Sequence, residues 1–250
     1  MSPGANKWFE SLDMREFPPA WEEVLQQRFP LYRLLSESDR CELKSYIRWF
    51  LGSKKFEGDA GLVITDEIRV LVAAQACLLL LHRDTPCYEH LHLIRVYPRA
   101  YFAVSSAEAL SGESWKQGVV LLAWDAVRGG AANPFDGTNV VLHEFAHQLD
   151  FEENRAEGTP LLGRGMAPAE QSGVYASWAR MLTKEYTEFR QSIESGGEIV
   201  MNPYAGSNPA EFFAVATECF FEKPKKLRKK HPDLYAALKQ FYRQDPVTWR

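Results

Sequence analysis

Disulfide scaffolding is absent from this 250-residue chain: its four cysteines, Cys41, Cys77, Cys87 and Cys219, lie far apart and none forms a C-x-x-C pair. Cys77 sits inside an apolar run, where a reduced core thiol is expected. Long hydrophobic runs are also missing. The most apolar stretch, residues 70 to 81, is bounded by Arg69 and Arg83, and roughly twelve residues are too few to span a bilayer. The first seventeen residues contain no apolar signal-peptide core and carry Glu10, Asp13 and Glu16, so a cytoplasmic protein with no membrane partner is expected. Nor is there an excess of positive charge. Twenty-nine basic against 33 acidic side chains give a net charge of −4, with no general attraction to nucleic acid. Repeats are absent, and the one biased tract is the lysine cluster at 223 to 230. It follows a helical segment, and cations near a helix C-terminus read as a solvated helix end.

What is present is the composition of an ordinary globular protein, 46% apolar and 25% charged, in a chain long enough to bury a substantial core. Residues 1–17 read as a loosely held arm and residues 18–250 as a single domain, expected to be monomeric. Pro18 and Pro19 open a short helix that Pro30 stops, and a second helix runs from Ser38 to Gly52 with Asp39 as a capping candidate. Thr65 and Asp66 begin a third, through Leu81. Strand-like runs follow at 92 to 104, which Pro98 marks as an edge or a break, and at 118 to 124. The second run is a candidate edge for an extended peptide; His90 and His92 flank the first. A loop at 129 to 137 precedes a helix near 138 to 152. After a loop from Gly158 to about Gly173, an amphipathic helix follows whose apolar face only Glu185 interrupts, ended by Ser195-Gly196-Gly197. Helices over 209–221 and 232–242 complete an α+β, mostly α-helical chain with a small β-sheet before the 138–152 helix.

That helix carries His143-Glu144-Phe145-Ala146-His147. Side chains at i and i+4 stand on one helix face, so both imidazoles can reach one metal ion, while Glu144 is offset to hold a water without ligating the metal. Two neutral imidazoles with an open coordination position suit Zn²⁺ better than the oxygen-seeking Mg²⁺ or Ca²⁺. A third ligand is needed, and the helix at 209–221 offers Glu211 and Glu218. They share a face but stand about 10 Å apart, too far to ligate the same ion. Ala210 and Ala214 beside Glu211 would let this helix pack closely on the histidine helix, which favours Glu211; Glu218 reads as a solvated position. Asp150 could accept from the free nitrogen of a zinc-bound histidine or be a solvated acid.

HEFAHQLD, followed by Tyr204-Ala-Gly-Ser-Asn-Pro-Ala-Glu211-Phe-Phe-Ala and the closing HPDLYAALKQFYRQDP, resembles the Mlc titration factor A family of bacterial zinc metallopeptidases. The similarity covers roughly residues 60 to 250. The core is also similar to the protease domain of anthrax lethal factor; both are gluzincins, whose zinc is held by two histidines and a glutamate. The resemblance implies a gluzincin-like metallopeptidase domain with one Zn²⁺ per chain. Matched position by position, it makes His143, His147 and Glu211 the ligands, Glu144 the general base, and Tyr204 the phenol that stabilises the oxyanion. It further implies aminopeptidase-type activity on peptide substrates and association with the glucose-responsive transcriptional repressor Mlc. The alternative is a non-catalytic regulator-binding protein that keeps the zinc site. A purely structural zinc ranks last, since such sites close with four ligands, often cysteines, and none lies beside the motif.

Overall fold

The computed structural model describes residues 16–83, 88–102, 109–115, 117–152, 158–162 and 167–249. The expected arm at 1–17 lies outside these residues but for its last two, and Cys87 lies outside them altogether. Helices dominate, and the described residues form two compact units: residues 16–133 with 139–141 and 249, and residues 134–138 with 142–248.

In the first unit, α1 (Pro19–Arg28) and α2 (Pro30–Leu34) each begin on a proline, whose fixed φ suits the first helical turn and whose missing N–H costs nothing there. Helix α3 (Glu37–Ser53) starts one position before the expected Ser38. Ser36 is its cap, and its Oγ accepts the N–H of Asp39. Helix α4 (Asp66–Leu78) is capped by the Thr65 hydroxyl and gives way to turns at residues 79–82. It is buried from Val70 to Leu78, which explains its nearly continuous apolar sequence.

A four-stranded sheet is formed by β1 (Lys55–Gly58), β2 (Leu93–Tyr97), β5 (Gly112–Trp115) and β6 (Val119–Ala123), in the order β1-β2-β6-β5. The pairs β1–β2 and β2–β6 are parallel and β5–β6 is antiparallel. Strand β6 therefore lies inside the sheet, bonded on both sides, and its main chain is not the open edge expected for a peptide; on that side of the sheet the edge is β5. The expected strand at 92–104 stops at Tyr97, before Pro98. Its continuation, β3 (Tyr101–Phe102), pairs instead with β4 (Ala109–Leu110) in a separate ribbon. Helix α5 (Trp124–Ala132) takes in Gly129 and Gly130, which read as loop in the sequence. A Cβ on Gly130 would stand 3.0 Å from the Asn139 side chain, so glycine serves close packing here rather than a turn.

Helix α6 (Val140–Phe151) leads into the second unit, which also holds α7 (Pro168–Glu194), a 3₁₀ turn (Pro203–Gly206), α8 (Pro209–Glu222), α9 (Pro224–Lys230) and α10 (Pro232–Tyr242). Its core is aromatic. Phe212, Phe213, Phe220 and Phe221 of α8 are fully buried and meet Phe189 of α7 and Phe241 and Tyr242 of α10 at ring-centroid distances of 5.8, 5.9 and 5.2 Å. Glu185, the acid on the apolar face of α7, is buried and lies 2.8 Å from Nδ1 of the half-buried His231, which satisfies its carboxylate. The lysine cluster forms α9, with Leu227 buried and Lys225, Lys226, Arg228, Lys229 and Lys230 exposed.

Candidate metal centre

Two helices of the second unit build the site. On α6 the one-turn spacing of His143 and His147 brings their Nε2 atoms to 3.3 Å. Helix α8 is started by Asn208, whose side chain accepts the N–H of Glu211 at 3.0 Å, and this cap fixes Glu211 in the first turn. The Glu211 carboxylate faces both rings: Oε2 is 3.0 Å from His143 Nε2 and Oε1 is 3.5 Å from His147 Nε2. One nitrogen from each ring and one carboxylate oxygen thus lie within 4.8 Å of one another.

The donor set fits a cation. Glu211 Oε2 is buried and, although close to His143, has no aligned hydrogen bond. Burial alone would raise the Glu211 carboxyl, yet its interactions with the two imidazoles hold it at about 2. Burial pulls His143 down, and the Glu211 and Glu218 carboxylates more than reverse this, leaving it well above its ordinary 6.5. A cluster that keeps Glu211 ionised and favours positive charge on His143 presents negative potential to a cation that enters it. Two nitrogens and one carboxylate are donors of the kind zinc takes.

Glu218 departs from its expected place. It is not solvated but 5% exposed, and its Oε1 accepts from His143 Nδ1 at 2.8 Å. When the ring gives up one proton to a metal, that bond keeps the other on Nδ1 and turns the Nε2 lone pair to the ion. The signal was available in the sequence. Apart from Thr217 and Cys219, every residue of 212–221 other than Glu218 is apolar, so α8 has no wet face on which an acid could sit. Asp150 is likewise not solvated: it is fully buried, and its Oδ2 accepts the N–H of Gly158 at 2.9 Å.

Glu144 is buried beside the cluster, and burial, helped by the negative charges of Glu211 and Glu218 and opposed by the two histidines, raises it to about 7. Tyr204 sits on the 3₁₀ turn, where its N–H is held by Asn202 Oδ1 at 3.0 Å. Its ring centroid is 6.2 Å from that of His143, and the residue is 55% exposed. The structure thus brings His143, His147, Glu211, Glu144 and Tyr204 together within one unit. His90 and His92 are exposed residues just before β2. A second group, Asp39, Glu42 and His82, belongs to the first unit. There each ring nitrogen of His82 faces a different carboxylate, at 3.1 and 3.4 Å, an arrangement that ion pairing explains.

Comparison with known proteins gives a family and several relatives. The profile of the glucose-regulated metallo-peptidase M90 family matches residues 5–243. An uncharacterized protein of Synechocystis sp. is 37% identical over 253 residues, covering 96% of this chain and 90% of its own length. The Mlc titration factor A of Pectobacterium atrosepticum is 30% identical, covering 91% and 87%. That of Yersinia pestis is 29% identical, covering 96% and 90%.

Proposed function

The chain belongs to the glucose-regulated metallo-peptidase M90 family, and from that premise we propose that it is a zinc-dependent peptidase of aminopeptidase type. His143, His147 and Glu211 are the proposed ligands of one Zn²⁺. The observation that carries the reading is the convergence of two Nε2 atoms and a carboxylate from separate helices within 4.8 Å, with Glu144 buried beside them. Zinc held by such a donor set supplies a Lewis acid that lowers the pKa of a water molecule toward ~7.

The chain's own groups do the rest. Glu144 accepts the water's proton as the water attacks the peptide carbonyl, and afterwards delivers it to the departing amine. Burial raises this carboxyl to about 7 in the metal-free cluster, which makes it a stronger proton acceptor than a solvated glutamate. The Tyr204 hydroxyl donates to the carbonyl oxygen as that oxygen gains negative charge. A donor of this kind contributes about 3 kcal/mol, roughly a hundredfold in rate. Glu218 keeps the His143 ring in the tautomer and orientation that its role requires.

The substitution Glu144→Gln removes the base but no ligand. It is expected to retain the metal and to lower hydrolysis of chromogenic aminoacyl substrates by about 10²- to 10⁴-fold. Full activity in that variant would overturn the mechanism.

The relatives named Mlc titration factor A extend the proposal to a partner, the transcriptional repressor Mlc of the host. Peptidase activity and repressor binding are compatible in one cytoplasmic protein. Pull-down with the host's own repressor tests the second role. Capture is expected, and failure to bind at tens of micromolar would remove it.

A further inference from the structure

Two buried carboxylates outside the proposed catalytic set stand at opposite ends of α6, and each receives the backbone N–H of a glycine in the left-handed region. Glu222, the last residue of α8, is 1% exposed. Its Oε2 accepts the N–H of Gly137 at 3.0 Å and of Thr138 at 3.1 Å, in the loop just before α6 begins at Val140. Gly137 has φ +74°, and a Cβ there would stand 3.0 Å from the Lys223 side chain. At the other end, Asp150 of α6 accepts the N–H of Gly158. Gly158 has φ +72°, and a Cβ on it would lie 2.5 Å from the carbonyl oxygen of Pro209, the first residue of α8. Its own carbonyl accepts from Trp178 Nε1 of α7 at 2.9 Å.

The lead-in to α6 is therefore bonded to the end of α8, while the tail of α6 is bonded to Gly158, which is held by Trp178 of α7 and abuts the beginning of α8 at the Pro209 carbonyl. We propose that these two carboxylate–glycine clamps fix α6 against α8 in register, and that Glu222 and Asp150 are positioning residues for the cluster formed by His143, His147 and Glu211. This rests on reading that cluster as a metal centre. Its donors come from two helices, two histidines from one and the glutamate from the other, so a slide between them would open it, and ligand geometry must be held to within about 0.5 Å. Burying a carboxylate is costly unless its oxygens are satisfied by hydrogen bonds. Bonds to an ionised acceptor are the stronger kind, and here they fall at both ends of the helix that carries two of the three ligands. Glu218 lies one turn before Glu222 on the same face of α8, so consecutive turns hold the His143 ring and the loop that leads to it.

The test compares alanine with the matching amide at each clamp: Glu222→Ala with Glu222→Gln, and Asp150→Ala with Asp150→Asn. An amide oxygen can still accept the same N–H groups. Zinc affinity by chelator competition should fall about 10- to 100-fold in the alanine variants and stay within about threefold of wild type in the amides. On aminoacyl substrates, kcat should fall with KM nearly kept. Alanine variants that bind zinc as wild type does, or amides no better than alanine, would overturn the proposal. Where an alanine variant fails to fold, Gly137→Ala, which displaces the loop while keeping Glu222, should lower zinc affinity at least about fivefold, and an unchanged affinity would count against the clamp. Amide hydrogen exchange across residues 143–147, measured without metal, separates the two readings. Wild type that takes up no zinc would remove the metal centre, whereas unchanged exchange in the alanine variants would remove the clamp.

Discussion

Among single residues, the most instructive pair is Glu211 and Glu218, two glutamates on one helix face with different tasks. Glu211 faces both Nε2 atoms, and Glu218 reaches the far nitrogen of His143. Glu211→Ala removes a donor to the ion itself and should nearly abolish metal retention. Glu218→Ala leaves all three donors in place and should weaken zinc binding by the smaller factor of about 10 to 100 typical of groups that orient a ligand. Metal titration of the two variants checks this, and a larger loss from Glu218→Ala would reverse the assignment. The histidine spacing was legible because i, i+4 geometry follows from the helix alone. For Glu218 the apolar run around it signals burial, but its partner, the Nδ1 of His143, lies 75 positions away in the chain and has no local signature. The use of Glu222 and Asp150 was hidden in the same way, since their partners are backbone N–H groups in loops, which have no side-chain signature.

Elements were legible where local chemistry decides them. Prolines at first-turn positions mark the helix starts at Pro19, Pro209 and Pro232. By contrast, α2 begins at Pro30, expected only as a stop, α7 begins at Pro168 inside the expected loop, and α9 begins at Pro224 in the cluster expected as a solvated helix end. The caps at Thr65 and Asn208 add two side-chain signals. Elements that tertiary pairing creates were not legible. Strands β1, with sequence KFEG, and β5, with sequence GESW, carry little β-branched character and no clear alternation; they are strands because β2 and β6 offer them partners. Helix α5 keeps two adjacent glycines, of which Gly130 packs closely against Asn139.

Between α1 and α3, Glu22 lies 2.7 Å from Lys44 Nζ and accepts from Tyr32 at 2.9 Å. Burial pushes the Glu22 carboxyl up, but the bonds to Lys44, Gln26 and Tyr32 outweigh it and hold the pKa below its ordinary 4.5. A carboxyl lowered by folding stabilises the native state fully above its unfolded pKa and loses that contribution as pH falls through the folded one. Glu22→Gln should therefore cost up to about 1 kcal/mol near neutral pH and little in strong acid. Denaturant unfolding at several pH values measures this; an equal loss at every pH would exclude the ion pair as its source.

For the molecule as a whole, composition, charge and helix content were readable before any coordinates, and so was the motif that names the chemistry. Among the described residues no helix is long and apolar enough to cross a membrane. What the sequence could not convey is that all the proposed catalytic groups fall in one compact unit while the four-stranded sheet falls in the other. That division depends on contacts between distant segments rather than on any local pattern.

The central claim is that the cluster on α6 and α8 holds a catalytic zinc ion, and the most direct test is metal content by elemental analysis of wild type and of His143→Ala, paired with hydrolysis of chromogenic aminoacyl substrates. One zinc per chain in the wild type is expected, lost together with activity in the variant. Wild-type protein that contains no metal, or a variant that keeps both zinc and activity, would contradict the account.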